Sequence, residues 1–155
     1  MKSEIDKINI KDLDIIDNWK KKSYKIGVTN GCFDLLHKGH KFSINQAKYF
    51  CDRLIVLINS DKSIKKIKGI LRPIQNERLR KKNLLKNKNV DMVFIFKSST
   101  PFKMIKQIKP NFLFKGSDYR DKIIIGSRYV RDNGGKVKIL KNIKGLSTTK
   151  LITKL

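Results

Sequence analysis

Hydrophobic and polar positions fall in short blocks along this chain, and the type of block changes in a regular order. "IKDLDIIDNWKKK" (10–22) spaces its apolar residues as an amphipathic helix does. It predicts a lead-in helix within residues 1–22, with Trp19 packing that helix on the body. "YKIGVT" (24–29) predicts a strand, and "GHKFSINQAKYFC" (39–51) a helix with Phe42, Ala47 and Phe50 facing inward. "RLIVLIN" (53–59) is a continuous apolar run rich in Ile and Val, the mark of a strand buried on both faces. Residues 60–74 read as a flexible basic loop ending in "GILRP". A helix follows over 75–87 and a strand over 91–96. In "TPFKMIKQIK" (100–109), Thr100 is the candidate N-cap, Pro101 the first helical residue and Pro110 the stop. A strand over 111–115 leads to a helix within 121–132, closed by "NGG" (133–135). "KVKIL" (136–140) is the last strand, and "GLSTTKLITKL" ends the chain as a short helix capped by Ser or Thr.

Five short strands alternating with helices specify an α/β fold: a parallel sheet with helices on both faces. The expectation is a single doubly wound, Rossmann-like domain with a five-stranded parallel sheet over residues 23–155, preceded by the lead-in helix of residues 1–22. Such sheets take ligands beyond the carboxyl ends of their strands, near the reversal in strand order. The loops after residues 29, 59, 96, 115 and 140 are therefore the places to look for chemistry.

Composition changes this picture little. At 155 residues, 39% hydrophobic and 32% charged, the chain fits one soluble domain with a real core. No run approaches the roughly 18 apolar residues of a membrane span, and "MKSEIDKINI" lacks a signal peptide's apolar stretch. A cytoplasmic protein without membrane association is expected. Cys32 and Cys51 form no CxxC pair and complete no zinc set, so no protein-bound metal is expected and both read as small, partly buried thiols.

Charge is the loudest feature, with 37 Lys and Arg against 13 Asp and Glu and a net +24. Yet only seven of the cations are arginine, the residue favoured for bidentate recognition of phosphates and bases. Lysines are spread along the whole chain, and Ala47 is the only alanine. This is a bias toward Lys, Ile and Asn on solvated faces rather than a focused nucleic-acid surface. Attraction of small anionic substrates is its more modest consequence.

The first strand-to-helix loop, "TNGCFDLLHKGH" (29–40), carries both histidines of the chain. His37 and His40 are three residues apart where a helix begins, so both rings can face one ligand. Gly39 between them admits a bulky group, Gly31 lets the loop pass tightly beneath it, and the free N–H groups of the helix start favour an anion. "KGLSTTK" (144–150) offers a second anion site through Ser147, Thr148 and Thr149. In "SDKSIKKIKGILRP", Lys68 is the best candidate for a phosphate contact. "KGSDY" (115–119) follows the fourth strand, where Gly116 can admit a flat base and Asp118 can accept from hydroxyl or amine groups.

These residues carry a resemblance. "GCFDLLHKGH" resembles the HxGH motif of the nucleotidylyltransferase superfamily, and "GLSTTKLI" its GxSTT partner. The ordered set, with "NSD", "RPI", "KGSDY" and "NGG", is similar over residues 24–153 to heptose 1-phosphate adenylyltransferases, the second domain of bifunctional lipopolysaccharide heptose enzymes. The resemblance implies transfer of AMP from ATP to a sugar phosphate, giving an ADP-sugar and pyrophosphate. His37 and His40 would hold the α-phosphate, in protonated form beside it. Lys68 and Arg80 would steady the triphosphate, with Arg78 competing for that place in "ERLR". Ser147, Thr148 and Thr149 would hold the β and γ oxygens. Asn30, Gly31, Cys32 and Phe33 would line the nucleotide, and Gly116 and Asp118 would lie near ribose and base. Asp34, Asp61 and Arg72 are the candidates for the sugar phosphate. Mg²⁺ would bridge the phosphates, with few protein ligands. A homodimer is implied, and a separate sugar kinase is expected to supply the substrate.

Glycerol 3-phosphate cytidylyltransferase shares these motifs but shows "RTxGISTT" and "TYGTFD" where this chain reads "NIKGLSTT" and "TNGCFD". Both differences, Asn142 among them, favour the adenylyltransferase. A nucleic-acid-binding module, the reading from charge alone, gives the two histidines no role.

Overall fold

The computed structural model describes residues 5–142. Five parallel strands form its sheet: β1 (Ile26–Gly31), β2 (Arg53–Asn59), β3 (Met92–Phe96), β4 (Phe112–Gly116) and β5 (Lys136–Leu140), in the order β3-β2-β1-β4-β5. The doubly wound α/β expectation holds. Two of the strands, β2 and β5, keep the boundaries that their apolar runs predict, while β1 begins two residues later than expected. The order reverses between β1 and β4, whose backbones pair from Gly27 with Phe112 to Thr29 with Phe114. Beyond that pair the following loops diverge and leave a crevice.

Six helices cover the two faces among the described residues: α1 (Ile10–Lys21), α2 (Lys38–Phe50), α3 (Asp61–Lys68), α4 (Glu77–Leu85), α5 (Phe102–Ile108) and α6 (Ser127–Asp132). Strand alternation sends side chains into two separate cores. One collects Ile16 of α1, Ile105 and Ile108 of α5 and Val130 of α6 against Val28, Leu57 and Leu113. The other collects Ile44 and Ala47 of α2 and Leu84 of α4 against Val56, Ile58 and Phe114. Trp19 packs α1 onto the first core as expected, under a guanidinium of Arg53 that lies 5.6 Å from its ring. The residues before α1 join it: Ile8 is buried, and buried Asp6 accepts from the amide of Ser98 at 2.9 Å.

Three local expectations change. Residues 61–68 are helical, where a flexible loop was read. Ser60 caps α3 by accepting from Ser63 N, and Ile64 supplies its buried contact. In α2 only Ala47 of the three expected residues faces inward. Phe42 and Phe50 are both 39% exposed, because the 3.6-residue period places Ile44, Ala47 and the following Cys51 on the sheet side. Pro101, not Thr100, is the N-cap of α5. Residues 117–119 close one 3-10 turn. The terminal helix expected after residue 143 lies outside the described residues.

Gly27 shows how tightly the second core meets the sheet. A Cβ there would stand against Phe114 Cε2 and 2.8 Å from Cys51 Sγ. Both neighbours are buried, so Gly27→Ala is expected to lower unfolding free energy by about 1–3 kcal/mol. Urea unfolding with an unchanged slope checks this, and an unchanged midpoint would contradict the packing.

Candidate active site

The start of α2 is built by its own histidines. His37 is the N-cap, and its Nδ1 accepts from the Gly39 amide at 3.0 Å. Three residues on, His40 Nδ1 accepts from the His37 amide at 3.4 Å. The two imidazoles stack with centroids 3.8 Å apart, and Phe33 covers His40 at 5.2 Å. With both Nδ1 atoms accepting, the hydrogen-bond network assigns each neutral ring its proton on Nε2. The result is a pair of N–H donors side by side at a helix N-terminus. The His37 Nε2 is buried and has no protein partner among the described residues.

Burial lowers the pKa of both rings. For His40 it falls to about 4, through burial first, then His37 and Lys68, against an upward pull from Asp34. His37 shifts down through burial alone. The scaffold by itself therefore favours neutral rings, whereas a neighbouring phosphate would pull them toward the protonated form. A consequence can be measured. Since His40 is depressed on folding, the unfolded chain binds the extra proton between its ordinary value of 6.5 and about 4. Stability should fall as pH drops through that window, and less steeply in His40→Asn. Parallel urea midpoints for the two proteins from pH 7 to 4 would expose an error.

His40 faces a cavity of about 450 Å³ beyond the carboxyl ends of β1 and β4. Asn30, Gly31, Cys32, Phe33, Lys68 and Gly116 line it with His40, so the structure brings seven of the expected residues together, while His37 is not among the lining residues. Asn30 Oδ1 is buried without a partner among the described residues. Asp118 stands behind the wall, its carboxylate accepting from Asn142 Nδ2 at 3.2 Å, and Asn142 itself lines the space. A Cβ on Gly116 would come 2.7 Å from Asp118 and 2.8 Å from Asn142, which is why a glycine fits there. Ser147, Thr148 and Thr149 lie outside the described residues.

Four of the side chains expected to bind ligands make scaffold contacts. Arg80 is fully buried: Nε donates to Gln75 O at 3.0 Å, Nη1 to Cys32 O at 2.9 Å and Nη2 to Asp61 Oδ1 at 2.8 Å. It braces the loop beneath the cavity and does not line it, and it occupies Asp61. Arg78 is exposed on α4. Asp34 is likewise buried, accepting from Ile74 N at 2.8 Å and Gln75 N at 3.0 Å, and pairing with Arg72 Nε at 3.4 Å. These side chains pin residues 72–75 to the first loop. Arg72 retains one buried Nη2 without a partner among the described residues.

Sequence reasoning missed Lys115, a cavity residue at the end of β4. Burial pushes its pKa down to about 8, against upward pulls from Asp118 and Cys32. Cys51, by contrast, is pushed up to about 11 by burial, which makes it inert. Among the described residues no three His, Cys, Asp or Glu side chains gather as a metal set. The cavity offers carboxamide and hydroxyl oxygens from Asn30, Asn59, Thr29 and Ser43 instead. That donor set fits Mg²⁺ carried on phosphates, which keeps most of its ligands from water and substrate.

Comparison with known proteins bears on the family and the fold. A family model described as cytidylyltransferase-like matches residues 28–154. The bifunctional protein HldE of Caulobacter vibrioides is 45% identical over 141 residues, 91% of this chain. HldE of Koribacter versatilis is 45% identical over 142 residues. The chain spans 29% of the length of each of these relatives. A lipopolysaccharide core biosynthesis protein from Thermoplasma volcanium, 26% identical, superposes with a TM-score of 0.62 over 78% of this chain and 98% of its own. A pantoate–β-alanine ligase from Francisella tularensis, 20% identical, shares the fold with a TM-score of 0.64 over 96% of this chain and 72% of its own.

Proposed function

The chain belongs to the cytidylyltransferase-like family, and from that premise we propose that it is an adenylyltransferase. It moves AMP from ATP to a sugar phosphate, D-glycero-D-manno-heptose 1-phosphate, giving ADP-heptose and pyrophosphate. The observation that carries this reading is the stacked pair His37 and His40, offering two Nε2–H donors at the N-terminus of α2 beside the cavity. The 45% identity to HldE proteins and the adenylyltransferase-like "TNGCFD" and Asn142 support ATP and a heptose as the two substrates.

The reaction asks little covalent chemistry of the protein. A phosphate oxygen of the sugar phosphate attacks the α-phosphorus of ATP. The bond from that phosphorus to the bridging oxygen breaks, and pyrophosphate leaves with the electron pair. The nucleophile is already an anion at neutral pH, so no base need remove a proton. His37 and His40 donate to the α-phosphate oxygens, where charge grows, and the free amides of α2 add to that field. Lys68, close enough to depress His40, neutralises the neighbouring phosphates. Asn30 to Phe33 shape the nucleotide's bed, with Gly116 at its ribose and base and Asp118 backing that wall through Asn142, and Ser147 to Thr149 would complete the grip on the triphosphate. Oxygens such as those of Asn30 and Asn59 would help the phosphates hold Mg²⁺, which would supply further charge neutralisation. Arg80, Asp61, Asp34 and Arg72 act at one remove by fixing the loop.

Cytoplasmic location and a homodimer belong to the same proposal, and a sugar kinase reaction must supply the 1-phosphate. Among the described residues no helix is long and apolar enough to cross a membrane. Pyrophosphate release tests the reading, with ATP and CTP crossed against heptose 1-phosphates and glycerol 3-phosphate in the presence of Mg²⁺. Turnover confined to ATP with a heptose 1-phosphate is expected. Turnover with CTP and glycerol 3-phosphate would overturn both substrate assignments while keeping the histidine roles.

A further inference from the structure

The residues first expected to hold the sugar phosphate, Asp34, Asp61 and Arg72, are engaged in holding the loop, and two of them are carboxylates that repel it. Two lysines do line the cavity, Lys68 at the end of α3 and Lys115 near the end of β4. Lys68 ends α3 and acts on His40, placing it on the α2 side. In β4, Leu113 enters the first core and Phe114 the second, so Lys115 returns by alternation to the first-core face. Burial lowers its pKa, and Asp118 and Cys32 pull the other way. On that face its ammonium lies 4.6 Å from the Tyr119 ring centroid, which holds the side chain at the cavity wall. Asn30, in phase with Val28, lies on the same face, with its buried Oδ1 unpartnered among the described residues.

We infer that Lys115 is the residue that binds the phosphate of the attacking sugar phosphate, across the sheet edge from the His37–His40–Lys68 group. The inference rests on the adenylyltransferase reading. In-line displacement requires the incoming and departing oxygens on opposite sides of the α-phosphorus. A site with cations on one wall alone would hold the triphosphate but leave the nucleophile unplaced. Lys115 supplies the second wall, and Tyr119 limits where its ammonium can go. A lysine suits this role because it neutralises the acceptor without donating the proton that would quench it.

Lys115→Met should raise KM for the sugar phosphate by about tenfold to a hundredfold, the loss of one charge-assisted contact. KM for ATP should stay within about twofold, and Lys115→Arg should recover most of the loss. In the wild type, KM for the acceptor should climb as pH rises through about 8 and the ammonium is lost. Lys115→Arg should remove that climb. A rise in KM for ATP instead, or an unchanged acceptor KM, would overturn the inference and leave the adenylyltransferase reading intact. Acetic anhydride labelling read by mass spectrometry is independent of turnover and of how well variants fold. Lys115 of the wild type should be protected by glucose 1-phosphate, a sugar phosphate probe, and not by glucose. Protection in a protein that transfers no nucleotide would retain an anion site at Lys115 but overturn its role as acceptor contact together with the enzyme reading. Absence of protection overturns the inference.

Discussion

Replacing His37 and His40 together by asparagine is expected to lower pyrophosphate release by about three orders of magnitude or more. In the proposed mechanism each Nε2–H donates where negative charge develops, and deletion of one such donor in other enzymes costs about 10²–10³ in rate. Asparagine is the informative choice because its side-chain oxygen can still cap α2, a position now filled by His37 Nδ1. The helix start should therefore survive, and circular dichroism with urea unfolding can verify that the fold is intact. Neither ring is needed as a base, so the loss should appear in kcat, with little change in the shape of the profile above pH 7. Single variants should each lose part of the rate. Turnover persisting in the double variant would remove the mechanism, whatever the family.

Arg80→Ala is expected to lower stability by about 3–5 kcal/mol, the range for breaking a buried charged pair from one side. The ion pair with Asp61 is the smaller part of this, since Asp61 is 30% exposed. The larger part comes from the carbonyls of Cys32 and Gln75, which lose the donors that now reach them, and from the volume a fully buried guanidinium leaves. Arg80→Lys keeps the charge but cannot reach three acceptors at once, so it should fall between the two. Activity should decline with loop order, since Cys32 lies in the cavity floor. If Arg80→Ala keeps wild-type stability and raises only KM for ATP, then Arg80 is a triphosphate ligand after all.

The contrast between these two predictions shows what the chain discloses in one dimension. The sheet was legible because each strand is a compact apolar run, and β2 is so continuous that its limits need no structure. The histidine pair was legible because both members sit in one turn, at a strand end, in a chain that uses histidine nowhere else. α3 was hidden because "DKSIKKIK" buries a single large apolar residue, Ile64, while Ile67 stays 57% exposed. Its cap, Ser60 followed by Asp61, was in the sequence but outweighed by the lysines. Arg80 shows a deeper limit. Nothing within α4 separates it from Arg78, and only the Cys32 carbonyl, 48 positions away, makes it a brace. Lys115 was lost among thirty lysines. Its signal was positional, the last side chain of a buried strand beside the reversal in strand order.

The central claim, attack of a sugar phosphate oxygen on the α-phosphorus of ATP, is tested most directly by following that oxygen. Heptose 1-phosphate carrying oxygen-18 at its nonbridging phosphate positions would be incubated with ATP, Mg²⁺ and the protein, and both products analysed by mass spectrometry. The account predicts ADP-heptose that retains all of the label, one atom now lying between its two phosphorus atoms, and pyrophosphate with none. Label in the pyrophosphate, or ADP formed with a phosphorylated heptose in place of ADP-heptose, would contradict it.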